Sequence, residues 1–170
     1  YHSLAGQGWP VADKGIKRPK QLVEFFLENN PEADKKLIKK LAVLYVKEAA
    51  TEGINSDCAW VQMCLETGFL RFGNLVTKEM HNYCGLGSID ENHPGESFPT
   101  EKEGVRAHIQ HLHAYGTTEE YKLKNPCIDR RYKYVNPRGK AETISGLSGT
   151  WAMDPNYAIK LENMLSRLEK

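Results

Sequence analysis

Residues 57–67, DCAWVQMCLET, are apolar on almost every side, and this stretch limits the possible folds of the chain more than any other. Asn55 or Ser56 can cap the start of a helix there, and Gly68 can end it. A helix that lacks a polar face is stable only where neighbouring elements cover it all round. The sequence therefore predicts a buried central helix.

Four further helices are predicted from apolar stripes and end signals. One begins at Pro19, and the next closes at Gly53 in the left-handed position. Another begins at the capping residue Thr100, and the last begins at Asp154, with a proline in the first helical position. These patterns favour a mostly helical domain.

Two stretches lack helical periodicity. Residues 83–99 contain three glycines and two prolines, which predicts a loop or a small β-hairpin. Residues 1–18 have no periodic pattern and are interpreted as an N-terminal tail or linker, which leaves residues 19–170 as the folded domain. The predicted class is therefore α+β and mostly α, with one small β excursion.

The charge of the chain argues against a nucleic-acid binder. Its 170 residues include 23 Lys and Arg against 22 Asp and Glu, a formal net charge of +1, whereas phosphate binding needs a clear cationic excess. Residues 129–140 are basic and interleaved with tyrosines, and are interpreted as the rim of a glycan groove or as a solvated loop. No apolar run approaches the roughly 20 residues that span a bilayer.

Four cysteines, Cys58, Cys64, Cys84 and Cys127, allow free thiols or up to two disulfide bridges. Cys58 and Cys64 lie six residues apart on one predicted helix, about 9 Å along its axis and on different faces, which is too far to bridge. A bridge would therefore join this helix to Cys84 or Cys127, for example from Cys64 to Cys84 under oxidising conditions.

Glu66 is the residue whose surroundings point most directly to catalysis. It lies in the last turn of the apolar central helix, where desolvation and the negative end of the helix dipole would both raise its pKa. A carboxylic acid that keeps its proton near neutral pH can protonate the leaving oxygen of a glycoside. The alternative is a side chain that swings out at the helix end to meet solvent or an arginine.

The histidines do not predict a metal site. His108, His111 and His113 lie close together on one predicted helix, but His111 and His113 point to different sides, and no further ligand has a standard zinc spacing. A solvated helix face is the preferred interpretation. Neither a metal nor another cofactor is expected.

Four segments of the chain, taken in order, carry a family resemblance. They read EGINSDCAWVQMCLETGFLRFGN, HNYCGLGSID, FPTEKEGVRAHIQHLHAYG and LSGTWAMDPNYA. Together they resemble the β-N-acetylglucosaminidases of glycoside hydrolase family 73, which are bacterial peptidoglycan hydrolases with a lysozyme-like helical lobe. The resemblance covers about residues 20–168. It implies a substrate cleft between this lobe and a small β-lobe, with Glu66 as the general acid.

The resemblance also implies a set of substrate-binding residues. Asn82, Tyr83 and Gly85 match the family segment that leads into the β-lobe beside the cleft, and Gln62 lies one turn before Glu66. Trp151 is either a platform for a sugar face or a packing anchor.

The second catalytic group is left open between two mechanisms. A carboxylate of the predicted β-lobe, Asp90, Glu91 or Glu96, could activate water. Alternatively, the acetamido group of the substrate acts as the nucleophile, oriented by Tyr157, whose other interpretation is a core residue of the last helix.

The expected function is hydrolysis of the β-1,4 bond that follows N-acetylglucosamine in peptidoglycan. Alternatives are a muramidase or lytic transglycosylase, endo-acting cleavage of glycoprotein glycans, and a non-catalytic wall-binding or adhesin module. The expected partner is the glycan strand, and the protein is expected to be a monomer exported to the bacterial cell envelope.

Overall fold

The computed structural model describes residues 8–170, and five α-helices form its framework. They are α1 (Pro19–Asn29), α2 (Lys35–Glu52), α3 (Ser56–Thr67), α4 (Glu101–Gly116) and α5 (Tyr157–Glu169). Three short 3-10 helices lie between them, at Lys78–Met80, Tyr132–Tyr134 and Ile144–Leu147. None of the helices within residues 8–170 is both long and apolar enough to cross a membrane.

Helix α3 is the centre of the fold, as its composition predicts. It packs against all four other helices, and every residue from Ser56 to Cys64 is buried. The Asn55 side chain caps its start by accepting from the backbone N–H groups of Asp57 and Cys58. Gly68 ends it in the left-handed conformation, with φ of 59°. The mostly helical class is confirmed.

The segment 83–99 is an irregular loop rather than a hairpin of paired strands. Within residues 8–170 the only β-type pairings are isolated bridges, and the one in this segment joins Asp90 to His93. Three glycines of the segment, Gly85, Gly87 and Gly95, have positive φ angles of 69°, 73° and 133°. Because these positions turn the chain so often, a regular ladder cannot form. The expected β-lobe is therefore a glycine-turned loop.

The predicted N-terminal tail differs from expectation where the structure describes it. Trp9 and Val11 lie in the main hydrophobic core, and the Val11 backbone pairs with Asn55 and Glu142 at 2.8 and 2.9 Å. Residues 8–18 are thus packed onto the domain by apolar burial and backbone hydrogen bonds, and interpreting them as part of an N-terminal tail or linker was wrong. Residues 1–7 of the predicted tail lie outside the described residues.

The last helix begins slightly later than the sequence predicts. Asp154 forms a turn in which its Oδ1 atom accepts from the Asn156 N–H at 2.9 Å, and regular α-helix begins at Tyr157. Its apolar stripe, which includes Tyr157, Leu161 and Leu165, is buried. The Tyr157 ring therefore lies at the first turn of α5, directed towards α3.

Candidate active site

Glu66 lies at the end of α3, largely buried, where the loop after Asn82 comes close to it. A Cβ atom added to Gly85 would lie 2.7 Å from Glu66 Oε1, which shows how closely the loop backbone approaches the carboxylate. The Tyr157 hydroxyl donates a hydrogen bond to Glu66 Oε2 at 3.2 Å. The structure thus brings together two of the predicted catalytic residues, which are 91 positions apart in the sequence.

The protonation of Glu66 is set mainly by burial. Desolvation raises the pKa of Glu66 from its ordinary value of 4.5 to about 7, and the hydrogen bond from Tyr157 opposes part of this rise. A group with this pKa is about half protonated at neutral pH. The carboxyl group can therefore deliver a proton to a substrate oxygen at neutral pH, which is the chemistry that the sequence predicted for it.

Gln62 occupies a different place from the one predicted for a substrate-binding residue. Its side chain is fully buried, and its amide lies between Tyr157 and His108. Gln62 Nε2 donates to the Tyr157 hydroxyl at 2.9 Å, and Gln62 Oε1 lies 2.8 Å from His108 Nε2. Because both ends of the amide are used inside the core, Gln62 supports Tyr157 and does not line the cleft.

Asn82 is also buried, and its amide holds the loop together. Asn82 Nδ2 donates to the carbonyl oxygens of Leu86 and Glu96 at 2.9 and 3.0 Å. Asn82 Oδ1 accepts from the backbone N–H groups of Cys84 and Leu86 at 3.3 and 3.0 Å. Its predicted contact with substrate is therefore replaced by a structural role, because all of this hydrogen-bonding capacity is spent on the loop backbone.

Tyr83 is a second predicted binding residue that the structure places in the core. Only 3% of it is exposed, and its hydroxyl lies 3.4 Å from His81 Nδ1. Gly85 and Trp151, by contrast, are partly exposed and line a common cavity. Of the predicted substrate-binding residues, these two are the ones that a ligand can reach.

The three acidic residues of the loop differ in their surroundings. Asp90 is exposed, and its Oδ1 atom accepts from the N–H groups of Asn92 and His93, so it stabilises a turn. Glu91 is exposed, whereas Glu96 is half-buried at the base of the loop, where its N–H donates to the Leu86 carbonyl at 2.8 Å. Within residues 8–170 no hydrogen bond joins any of the three carboxylates to Glu66.

A cavity of about 210 Å³ adjoins the loop on the side of α4. Its lining residues are Cys84, Gly85, Leu86, Gly87, Ser88, Ile89, His111, Tyr115, Arg131 and Trp151. The Trp151 ring packs against His111 and Tyr115, with centroid distances of 4.9 Å in both cases. Since Gly85 borders both this cavity and Glu66, the cavity lies near the proposed acid.

The histidines of α4 are buried, so the predicted solvated helix face was wrong. His108, His111 and His113 are 0%, 9% and 2% exposed, because α2 and residues 125–140 cover the helix. His111, which lines the cavity, has its Nδ1 atom 2.7 Å from Asp129 Oδ2, and the sequence analysis missed this pair. Nothing in the local sequence links residues 18 positions apart. Within residues 8–170 no group of three or more His, Cys, Asp or Glu residues is arranged to hold a metal ion.

All four cysteines are free thiols in the structure. Cys58, Cys64 and Cys84 are buried, and Cys127 is exposed. Burial raises the pKa of the Cys84 thiol, and the nearby carboxylates of Glu66 and Asp129 add to this rise. The suggested bridge from Cys64 to Cys84 is absent, and Cys84 is a neutral thiol within the loop.

The sequence of this chain is similar to a known protein family and to a bacterial protein. Residues 42–170 match the glucosaminidase family, described as mannosyl-glycoprotein endo-β-N-acetylglucosaminidase. An uncharacterised protein of Borreliella burgdorferi is 41% identical over 158 residues, which cover 93% of this chain and 76% of that protein.

Two solved structures have a similar fold. Autolysin E of Staphylococcus aureus, in complex with the muropeptide NAM-L-Ala-D-iGlu, has a TM-score of 0.61 at 10% identity, covering 94% of this chain and 70% of that chain. The catalytic domain of the autolysin Auto from Listeria monocytogenes has a TM-score of 0.52 at 17% identity, covering 91% and 88%. The chain therefore belongs to the glucosaminidase family of glycoside hydrolases, and it has the lysozyme-like fold of autolysin catalytic domains.

Proposed function

We propose that this protein hydrolyses the glycan strand of peptidoglycan at the β-1,4 bond that follows N-acetylglucosamine, with Glu66 as the general acid. The observation that carries the proposal is the largely buried Glu66 carboxyl, in hydrogen-bond contact with Tyr157, whose pKa of about 7 lets it hold a proton near neutral pH. Peptidoglycan is favoured as the substrate because two autolysins share the fold, one of them solved with a muropeptide.

Glu66 acts by protonating the glycosidic oxygen as the bond to the leaving sugar breaks. The proton transfer leaves a carboxylate in a largely buried place, where an isolated negative charge is costly. The hydroxyl of Tyr157, 3.2 Å from Glu66 Oε2, donates to that carboxylate and stabilises it. Tyr157 therefore contributes most after the proton has left.

The second catalytic group is proposed to be Glu96 rather than Asp90 or Glu91. The Asp90 carboxylate accepts hydrogen bonds from the backbone of its own turn, and Glu91 is exposed. Glu96, by contrast, is half-buried at the base of the loop. A carboxylate on the far side of the bond would activate water, as in inverting glycosidases. The competing mechanism uses the acetamido group of the substrate as nucleophile, with Tyr157 as the orienting residue.

Substrate contacts are assigned to the cavity beside Gly85. The exposed part of the Trp151 ring offers a flat apolar face on which a sugar ring can stack. A peptidoglycan hydrolase acts outside the inner membrane, so we propose that the protein is exported to the cell envelope, where it acts as a monomer.

The decisive experiment is digestion of purified peptidoglycan by the wild-type protein and by Glu66→Gln, with chemical analysis of the reducing ends. New N-acetylglucosamine ends from the wild type and a loss of about 10²–10⁴-fold in rate for Glu66→Gln are expected. Glu24→Gln, a change at an exposed position of α1, is the matched control and should keep full activity.

Other products would overturn parts of the proposal. N-acetylmuramic acid ends would indicate a muramidase, and 1,6-anhydro ends would indicate a lytic transglycosylase. Cleavage of glycoprotein glycans alone would exclude peptidoglycan as substrate. A folded Glu66→Gln protein with wild-type turnover would remove Glu66 from the role of acid.

A further inference from the structure

A continuous line of hydrogen bonds runs through the core from α2 to Glu66. Tyr45 Oη lies 2.7 Å from His108 Nδ1, and His108 Nε2 lies 2.8 Å from Gln62 Oε1. Gln62 Nε2 lies 2.9 Å from Tyr157 Oη, which lies 3.2 Å from Glu66 Oε2. Four helices supply its members, since Tyr45 is on α2, His108 on α4, Gln62 and Glu66 on α3, and Tyr157 on α5.

The hydrogen bond between Tyr45 and His108 determines in which direction hydrogens are donated along this line. Tyr45 is fully buried, and among residues 8–170 its hydroxyl has one hydrogen-bond partner, His108 Nδ1. Burial raises the pKa of Tyr45, so the hydroxyl keeps its proton. Because a buried O–H without an acceptor is costly, the Tyr45 hydroxyl donates to His108 Nδ1.

The donor and the acceptor of each later hydrogen bond follow from the bond before it. His108 is fully buried, and burial lowers its pKa to about 3, so the ring is neutral and carries one N–H. With Nδ1 accepting, that hydrogen is on Nε2 and is donated to Gln62 Oε1. The amide of Gln62 then presents its NH₂ group to the Tyr157 oxygen, and the Tyr157 O–H is left to donate to Glu66.

We propose that Tyr45, His108 and Gln62 form a buried, one-directional relay that holds the Tyr157 hydroxyl as a donor to Glu66. These three are positioning residues, because they act on Glu66 only through Tyr157 and do not contact the substrate. The inference rests on the proposed function for its catalytic meaning, although the hydrogen-bond direction itself does not depend on any activity.

Reversing the direction of these hydrogen bonds would change the pKa of Glu66. If the Gln62 amide turned over, its oxygen would face Tyr157 and would draw the hydroxyl hydrogen away from Glu66. The carboxylate would then lose its one hydrogen bond from the described residues, and its protonated form would be favoured. The Cys84 thiol, the other titratable group shown to interact with Glu66, is neutral and supplies no compensating charge.

The relay therefore predicts a graded effect on the pKa of Glu66. Tyr45→Phe removes the group that sets the direction, His108→Phe frees the Gln62 amide to turn over, and Tyr157→Phe removes the donor itself. The pKa of Glu66 should rise in all three variants, by about half a unit in the first and by more in each later one. A residue that only fills space would give no such order.

The measurement is a ¹³C NMR titration of the Glu66 side-chain carboxyl in the full protein, with the signal assigned by its loss in Glu66→Gln. Tyr132→Phe is the matched control, because Tyr132 also pairs with a histidine of α4, His113, at 2.9 Å but has no link to Glu66. It should leave the Glu66 titration unchanged. His108→Gln keeps a donor near the position of Nε2 and should shift the titration less than His108→Phe.

A second readout tests the direction directly in the unmodified protein. The ¹⁵N spectrum should show His108 with hydrogen on Nε2 and a bare Nδ1 at neutral pH. Hydrogen on Nδ1, or a Glu66 titration in Tyr45→Phe that matches the wild type within about 0.1 unit, would overturn the relay. If the relay is correct but Glu66→Gln is fully active, the NMR results still stand, and only the proposed function fails.

Discussion

The hydroxyl of Tyr157 donates to Glu66 Oε2 across 3.2 Å, and this hydrogen bond joins the first turn of α5 to the last turn of α3. It favours the carboxylate, whereas the burial of Glu66 favours the carboxylic acid. Burial is the larger of the two effects, because the pKa of Glu66 still rises from 4.5 to about 7. The site therefore keeps its proton and also stabilises the anion that remains after the proton is delivered.

Activity should depend on pH through this group. Because the acid form of Glu66 is required, kcat/KM on soluble glycan fragments should fall as pH rises through about 7. Tyr157→Phe should move this alkaline limb to higher pH, since the bond that it removes lowers the pKa of Glu66. Profiles of both proteins between about pH 5 and 9 test this, and a flat wild-type profile would contradict it.

The stability of the protein should also depend on pH through Glu66. Folding favours the acid form of Glu66. Below the unfolded pKa of about 4.5, Glu66 is protonated in both states and does not lower the free energy of unfolding. That free energy falls as pH rises from about 4.5 to about 7. The shift from 4.5 to about 7 corresponds to at most roughly 3 kcal/mol. Glu66→Gln should therefore unfold at higher urea concentration than the wild type at pH 8.

The same comparison at pH 4 supplies the control for that prediction. There the two proteins should have nearly equal free energies of unfolding, because Glu66 is protonated in both folded and unfolded chains. Glu24→Gln, at an exposed position, should show no such pH-dependent gain. A Glu66→Gln protein less stable than wild type at pH 8 would contradict a desolvated carboxylate at this position.

The three carboxylates of the loop should have very different effects on kcat when each is changed to its amide. Glu96→Gln is expected to lower kcat by about 10²-fold or more if it activates water. Asp90→Asn and Glu91→Gln are expected to change kcat little, since both residues are exposed and Asp90 serves its turn. Rates on purified peptidoglycan, with folding checked by circular dichroism, test this. An active Glu96→Gln together with an inactive Tyr157→Phe would instead favour the acetamide mechanism.

Gly85→Ala should damage the site through contact and not only through backbone strain. Gly85 has a φ of 69°, and an added Cβ would lie 2.7 Å from Glu66 Oε1. Gly73→Ala is the matched control, because Gly73 has a φ of 92° but no atom within 4 Å of an added Cβ. Both variants should lose about 1 kcal/mol of stability, but only Gly85→Ala should lose activity. Equal activity in the two variants would show that the close approach of the Gly85 backbone to Glu66 does not affect catalysis.

The sequence predicts the parts of this structure that depend on local signals. The caps at Asn55 and Gly68 and the apolar character of α3 are enough to place Glu66 at a buried helix end. The family resemblance suggested a catalytic role for Tyr157 but not its hydrogen bond to Glu66, because no local pattern links positions 91 residues apart. The contact itself depends on how α5 packs against α3.

The errors arise where tertiary contacts override local composition. Gln62, Asn82 and His108 are polar and were expected at the cleft or in solvent, yet each is at most 1% exposed. Each is tolerated in the core because another buried group satisfies its hydrogen bonds. The partners of Gln62 and His108 come from distant segments of the chain, and those of Asn82 are backbone groups of its own loop. Neither kind of partner can be recognised from the sequence alone, so the sequence does not reveal that these side chains are internal.

The hydrogen bonds of the Asn82 amide divide the loop into a fixed base and a tip, residues 88–93, whose sequence and length can change. By binding the carbonyl oxygens of Leu86 and Glu96, the amide closes the base of the loop independently of residues 88–93. The tip can thus be lengthened, shortened or exchanged for another peptide while Gly85 stays beside Glu66. A designer who wishes to retarget the enzyme to a different glycan has a natural insertion point there, with one amide as the anchor that has to be kept.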